Sequence, residues 1–462
     1  MTSTIEPAQP AEPIEPLSVE QLSETTLLRF ATAGSVDDGK STLVGRLLHD
    51  SKSVLTDQLE AVAHASRNRG QDTPDLALLT DGLRAEREQG ITIDVAYRYF
   101  ATAKRRFILA DTPGHVQYTR NMVTGASTAE LTVVLVDARN GVVEQTRRHA
   151  AIAALLRVPH VVLAVNKMDL VGYEAKEFDR IVEDFAAHAA ELDLPGFTPI
   201  PVSALVGDNV VDRSAHMDWY EGPTLLEHLE SVRVGGDPSG QPARFPVQYV
   251  IRHGERRHYA GQLASGSLRV GDRVTIHPSG GSSEIEAIDV LGEEVREAYA
   301  PQSLALRLAD PLDVSRGDMI TSGADAPALT RDVRAAVCHL ADRPLRVGDR
   351  VLVRHTTRTV KAIVKDLTDG RGSHPDRATS GTPGAPGAPG APGGQGASGV
   401  ELSANDLGRI TLRTAEPLAL DDYARCRRTG AFILVDPADG ATLTAGMVDL
   451  TEAGSPTWAP MT

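Results

Sequence analysis

The chain has 462 residues, 41% hydrophobic and 24% charged, which allows two to four soluble globular domains with a sizeable core. Its two cysteines, Cys338 and Cys426, lie far apart without disulfide-framework or zinc-ligand spacing, and its formal net charge of -15 disfavours a surface that neutralises many nucleic-acid phosphates. No run approaches the ~18 consecutive apolar residues of a membrane span, and with aromatics at 4% the interior has to be built from Val, Leu, Ile and Ala.

Residues 1 to about 24 are Pro- and Glu-rich and lack apolar periodicity, so they read as a disordered leader and not as a signal peptide or membrane anchor. With the sparse cysteines, this points to a reducing, cytoplasmic setting. From residue 25 to 234, short aliphatic strands alternate with amphipathic helical segments. Strands are predicted at Leu27–Ala33, Arg106–Ala110, Leu131–Asp137, Val161–Asn166 and Thr198–Val202. This is the pattern of an α/β domain with a doubly wound, mostly parallel sheet, which binds ligands at the carboxyl ends of its strands.

GSVDDGKS, Gly34 to Ser41, follows the first strand and opens a helical run, the context of a phosphate-binding loop. The amides of Ser35, Val36, Asp37, Asp38, Gly39, Lys40 and Ser41, with Thr42 beyond them, can face phosphates at the helix N-terminus. Lys40 can place its ammonium on the β- and γ-phosphates, and Ser41 its hydroxyl on Mg²⁺. In REQGITID, Arg87 to Asp94, Thr92 is the candidate second hydroxyl ligand, in a segment ordered by the γ-phosphate and released on hydrolysis.

DTPG (Asp111, Thr112, Pro113, Gly114) then ends a strand. Asp111 can hold the metal through water and the Gly114 amide can meet the γ-phosphate. His115 follows directly, where it can orient the attacking water, a role that needs position more than basicity. NKMD (Asn166, Lys167, Met168, Asp169) supplies base choice, because Asp169 can accept from guanine N1 and the exocyclic amine, which adenine does not match. Asn166 supports that loop and Lys167 lies along the base plane. SAL (Ser203, Ala204, Leu205) brings a backbone amide to guanine O6. The four motifs in this order describe a P-loop GTPase that uses GTP and Mg²⁺.

Gly235 to Pro242 (GGDPSGQP) is a linker by composition, and beyond it the helical pattern stops. Period-two alternation at Phe245, Val247, Tyr249 and Ile251 opens a first small β-barrel or sandwich, residues 243–328. A second, 329–455, has its strand series beginning near Ala335, and each contains a Val-Gly-Asp-Arg-Val turn, at Val270–Val274 and Val347–Val351. Within the second, 371–399 contains three Gly-Ala-Pro units and lacks side chains able to form a core. That segment is expected to be a flexible, dispensable loop.

A GTPase domain followed by two β-domains, with DTPGHVQYTRNM and a His after the glycine, resembles the elongation factor Tu superfamily of translational GTPases. Finer features are similar to one branch, the large GTPase subunits of ATP sulfurylase, or sulfate adenylyltransferase subunit 1. These are SVDDGKSTLVGRLLHD, with Asp38 where elongation factors typically carry His, REQGITIDVAYRYF, SALVGDNV, WYEGPTLLEHL and NDLGRITLRTAEPLALDDYARCRRTGAFILVD. The similarity runs from about Leu27 to Leu450, is weaker at Arg252–His258 (RHGERRH) and is absent from the Gly-Ala-Pro loop.

The resemblance implies a heterodimer with a separate small subunit, which forms adenosine 5′-phosphosulfate and pyrophosphate from ATP and sulfate and carries the adenylyl-transfer site. This chain would contribute GTP hydrolysis coupled to that uphill step of sulfate assimilation. Some relatives carry a fused adenylylsulfate kinase. Gly34–Ser41 is the only GxxxxGK[ST] match before the chain ends at Thr462, so no such activity is expected. Neither membrane nor nucleic-acid partners are expected. The alternatives are a translational GTPase that binds tRNA, which the acidic charge, Asp38 and the C-terminal segment disfavour, and an inactive scaffold, which the full set of phosphate and metal residues disfavours.

Overall fold

The computed structural model describes residues 27–51, 76, 94–114, 118–194, 196–234, 240–253, 256–323, 325–369 and 400–451. The leader, Thr92, His115 and the Gly-Ala-Pro segment lie outside the described residues.

The first unit runs β1 (Leu27–Gly34), α1 (Lys40–Asp50), β2 (Ala96–Ala101), β3 (Arg106–Asp111), α2 (Thr119–Ser127), β4 (Leu131–Asp137), α3 (Glu144–Leu155), β5 (His160–Asn166), α4 (Ala175–Glu191), β6 (Thr198–Pro201) and α5 (Leu225–Ser231). Every residue of β4, LTVVLVD, is buried, as an unbroken aliphatic run requires of a central parallel strand covered on both faces. The order is β2-β3-β1-β4-β5-β6, parallel except for β2. From β1 the chain goes to β3 on one side and to β4 on the other. The carboxyl end of β1 is therefore the topological switch point of the sheet.

Strand β2 was not among the predicted strands. Its alternation (AYRYFA) carries tyrosines and an arginine where a half-buried strand carries aliphatics, because it is an antiparallel edge with one face open. The short helix α5 is fixed by a capping box, in which Thr224 Oγ1 accepts from the Glu227 amide and Glu227 Oε2 from the Thr224 amide.

Two β-barrels follow. The first contains β7 (Arg244–His253), β8 (Arg256–Gln262), β9 (Ser267–Arg269), β10 (Arg273–His277), β11 (Ser282–Val290), β12 (Glu293–Val295), β13 (Glu297–Tyr299), β14 (Ser303–Leu308) and β15 (Met319–Ser322). Its ring β10-β15-β7-β8-β14-β11 closes by pairing of β10 with β11. The second contains β16 (Ala328–His339), β17 (Leu345–Arg346), β18 (Arg350–His355), β19 (Arg358–Asp369), β20 (Glu401–Leu402), β21 (Leu407–Leu420), β22 (Ala431–Val435) and β23 (Thr442–Val448). It closes as β16-β21-β19-β18-β22-β23. Strand β16 begins at Ala328, before the predicted Ala335, because its first residues (ALTRD) are mostly exposed and carry no apolar alternation.

The repeated pentapeptide makes the same turn in both barrels. Gly271 and Gly348 have φ of 93° and 91°, in the left-handed region that favours glycine. The following aspartates accept from the amides of Arg269 and Arg346 respectively, at 2.8 and 3.0 Å. Each glycine amide then reaches across to a strand carbonyl, that of Ile285 or Val364.

The barrels are joined by a buried ion pair. The Arg244 guanidinium on β7 donates to both oxygens of Asp421 from Nε and to one from Nη2, at 2.9 to 3.2 Å, and Thr429 Oγ1 donates to the same carboxylate. Breaking such a pair strands a charge away from water. Arg244→Ala is expected to destabilise the chain by about 3–5 kcal/mol, measured by chemical denaturation. Arg244→Met with Asp421→Leu is expected to recover most of that loss, and a neutral single substitution would refute the assignment.

The second barrel seats on the α/β unit through an apolar cluster that joins Ala33, Met122, Ile152 and Ala153 to Cys338, Tyr423 and Met447. Around it, Tyr423 Oη donates to the Leu156 carbonyl and Arg148 to that of Asn405. Arg427 caps the carboxyl end of α2 by donating to the carbonyls of Ser127 and Ala129. Burial pushes the Cys338 thiol up to about 12. Both cysteines are free, and among the described residues no helix is long and apolar enough to cross a membrane.

Candidate nucleotide-binding site

Four loops meet at the carboxyl edge of the sheet. The loop between β1 and α1 turns on Asp37 (φ 65°) and on Gly39 (φ 91°), the residue that precedes the helix. Glycine is needed at position 39 for a second reason: a Cβ there would stand 2.5 Å from Asn166 Nδ2. Lys40 is 8% exposed, and its Nζ donates to the carbonyls of Gly34 (3.0 Å) and Ser35 (2.7 Å). Burial pushes this ammonium down in pKa, opposed by Asp38, Asp111 and Asp37. The Asp38 carboxylate accepts from the Ser35 amide and so braces the loop from inside. Burial pushes its pKa up, against the pull of Lys40.

At the end of β3, Asp111 is buried and its Oδ1 accepts from Thr32 Oγ1 at 2.9 Å, while the Thr112 hydroxyl donates to the Thr32 carbonyl. These bonds fix the start of DTPG to the neighbouring strand. Gly114 then packs so closely on the first loop that a Cβ would meet Lys40 Nζ and stand 2.8 Å from the Gly34 carbonyl. The two segments predicted to handle phosphate are thus in direct contact.

Asn166 at the end of β5 ties three motifs together. Its Nδ2 donates to the Asp38 carbonyl at 2.7 Å, and its Oδ1 accepts from the Ala204 amide at 2.9 Å. Lys167 (φ 63°) lies across the first loop, donating to the Asp37 carbonyl and pairing with Asp137 at 2.9 Å. Met168 is buried and donates its amide to the Val202 carbonyl. Asp169 Oδ1 accepts from Ser203 Oγ at 2.6 Å. The hydroxyl of SAL therefore orients the carboxylate of NKMD. A base carbonyl approaching Ala204 has to share that amide with Asn166. Leu205 is 68% exposed and Val36 40%, so neither is held by the core.

Two residues at this edge were not predicted. Asp137 ends β4, and although burial opposes its ionisation, hydrogen bonds from Arg139 and Lys167 bring its carboxyl down to about 2. Its place at the carboxyl end of a parallel strand was the available signal. Arg46 on α1 donates to the carbonyls of Ala204 (3.2 Å) and Leu205 (2.6 Å), holding SAL from a distance in sequence that no local pattern announces.

Mg²⁺ takes hard oxygen donors and is held through one or two protein side chains together with phosphate oxygens and waters. The Ser41 hydroxyl and the Asp111 carboxylate are donors of that kind. Among the described residues no group of three or more His, Cys, Asp or Glu could hold a metal ion. One hydroxyl and one carboxylate are the donor set of a metal that shares its coordination with a nucleotide.

The family model of the elongation factor Tu GTP binding domain matches residues 25–233, and that of the GTP-eEF1A C-terminal domain matches 396–449. The chain is 54% identical over 433 residues to the bifunctional enzyme CysN/CysC of Mycobacterium tuberculosis, covering 92% of this chain and 67%, about two thirds, of that one. It is 43% identical over 433 residues to sulfate adenylyltransferase subunit 1 of Alteromonas mediterranea, covering 93% and 88%. For the subunit of the same name from Cellvibrio japonicus, identity is 45% over 431 residues, with the same coverage. Among solved structures, the Ski7 GTPase-like domain of S. cerevisiae, bound to GDP and inorganic phosphate, superposes with a TM-score of 0.50 at 16% identity, covering 93% of this chain and 98% of that one. That likeness bears on the fold alone.

Proposed function

Because the chain belongs to the sulfate adenylyltransferase subunit 1 family, we propose that it is the GTP-hydrolysing subunit of an ATP sulfurylase. Its hydrolysis would drive formation of adenosine 5′-phosphosulfate and pyrophosphate from ATP and sulfate by a partner small subunit. The observation that carries the GTPase part of this reading is the Asn166 side chain, which binds the first loop and SAL at once and so makes one pocket of separate motifs.

In this reading the amides of Ser35 to Thr42 and the Lys40 ammonium cradle the phosphates. The desolvation that lowers the Lys40 pKa is offset when a polyphosphate brings negative charge beside it. Ser41 and Thr92 offer hydroxyls, and Asp111 a carboxylate through water, to Mg²⁺, which neutralises charge on the β- and γ-oxygens when bound. Gly114, already against Lys40, offers its amide to the γ-phosphate. His115 orients the attacking water in line, while Asp169, held by Ser203, reads guanine. The adenylyl-transfer site is assigned to the partner. Coupling requires that the partner's states differ in affinity for the GTP-bound and hydrolysed forms of this chain.

The test is pyrophosphate release from ATP and sulfate by this chain alone and with candidate small subunits encoded beside it. Release is expected only when both subunits and GTP are present. His115→Ala is expected to slow partner-stimulated GTP turnover by about 10²-fold or more with GTP affinity retained. GTP hydrolysis indifferent to ATP, sulfate and the small subunit would overturn the reading in favour of a translational GTPase.

A further inference from the structure

One corner of the doubly wound sheet is left open. Across β2, β3 and β1, Tyr99, Ile108 and Arg29 lie in one register row, and Tyr97, Ala110 and Ala31 in the next. Gly125 of α2 and Ala129, just beyond its end, cover the second row at Ala110 and Ala31. The β2 ends of both rows and the Arg29 end of the first stay uncovered: Tyr99 is 73% exposed, Tyr97 43%, and Arg29 is exposed as well. Between these residues and Gly125 at the carboxyl end of α2, with Thr128 and Ala129 just beyond it, runs a cleft of about 190 Å³. Among the described residues no ion pair engages the Arg29 guanidinium; its bonds to Glu130 are made by the backbone, the amide donating to the carboxylate and the carbonyl accepting from the Glu130 amide. The cleft thus offers an aliphatic floor, two phenol edges and one available cation, the composition of an interface centre rather than of an ordinary solvated strand.

The walls of this cleft are the elements that come next in the chain after the two segments assigned to the γ-phosphate. Strand β2 begins at Ala96, shortly after Thr92, and α2 at Thr119, shortly after Gly114 and His115. Arg427 holds the far end of α2 from behind. A ligand in the cleft touches both walls, so its affinity is linked to how the two segments sit, which coupling demands of the partner's contact.

We infer that this cleft docks a segment of the catalytic small subunit that sets a carboxylate, for Arg29, beside an apolar side chain, for the floor between Tyr97 and Tyr99. The inference rests on the function proposed above. The acidic leader of this chain, which bears glutamates and no basic residue and precedes β1 in the sequence, is the competing occupant.

The experiment measures the affinity of the full chain for the small subunit with GDP and with a non-hydrolysable GTP analogue. It compares the unaltered chain, Tyr99→Ala, Arg29→Glu, and a chain lacking residues 1–24. Tyr99→Ala and Arg29→Glu are each expected to weaken the complex at least about tenfold, while their affinity for the analogue stays within about twofold of the unaltered chain. Removal of the leader is expected to leave the complex unchanged. Complexes of full strength from both substituted chains would overturn the cleft assignment alone. A complex strengthened tenfold or more by loss of the leader would give the cleft to the leader instead. Absence of any complex with the unaltered chain would overturn the proposed function together with the docking site.

Discussion

Asp169→Asn is expected to cost the chain about three orders of magnitude in GTP affinity, and to give it xanthosine triphosphate in exchange. In the proposed pocket guanine presents two donors, N1–H and the exocyclic amine, to the Asp169 carboxylate. Each is a charge-assisted bond of roughly 1.5–3 kcal/mol, and every 1.4 kcal/mol is tenfold in affinity. An amide turns one acceptor into a donor and sets it against a donor of the base. Xanthine carries a carbonyl in place of that amine, which restores the match. The Ser203 hydroxyl at 2.6 Å can still donate to the amide oxygen, so the loop is expected to keep its shape and the change to read out as specificity and not as unfolding. Displacement of a fluorescent nucleotide by GTP and by xanthosine triphosphate measures both arms. Retention of GTP affinity would remove Asp169 from the base site.

The second large effect is expected from Gly39→Ala, where two costs coincide. At φ 91° any Cβ is strained, at about 1 kcal/mol. At this position the new carbon would also stand 2.5 Å from Asn166 Nδ2, so the amide that holds Asp38 and Ala204 has to leave its place. Loss of its two hydrogen bonds, with buried partners left unsatisfied, adds about 2–4 kcal/mol, and nucleotide affinity is expected to fall by about 100-fold or more. Gly172 supplies the control, since at φ 66° it has nothing within 4 Å of an added Cβ. Gly172→Ala is expected to show the backbone strain alone, with GTP affinity unchanged. Equal behaviour of the two variants in nucleotide binding would show that the Asn166 contact is incidental.

Much of the architecture was legible because its causes are local. The strands β4 and β5 announce themselves as unbroken aliphatic runs, and the phosphate motifs fall at the carboxyl ends of β1 and β3, the base motifs after β5 and β6, as open α/β sheets require. Strand β2 escaped because an edge strand with one open face keeps polar and aromatic residues that no core pattern demands. The Asn166 contacts and the Arg46 bonds to SAL were illegible for a different reason. The bonds of Asn166 to Asp38 and of Arg46 to SAL span more than a hundred residues of sequence, that of Asn166 to Ala204 spans 38, and all are decided by where strands end in space. The Arg244–Asp421 pair, buried between two barrels, is a further case: nothing in the local pattern of either residue distinguishes it from a surface charge. The roles of Thr92 and His115 rest on motif position alone.

The placement of Cys338 has a consequence for how the molecule can be watched. Its sulfur lies in the apolar seam between the second barrel and the α/β unit, among side chains contributed by both, and its thiol is held protonated far above neutral pH. A thiolate reagent reaches it only when the seam parts, so its alkylation proceeds at the pace of that separation. The chain carries its own clock for the breathing of barrel against nucleotide unit. Cys426, half-buried on the same barrel and not among the residues of that apolar cluster, serves as the reference against which the clock is read.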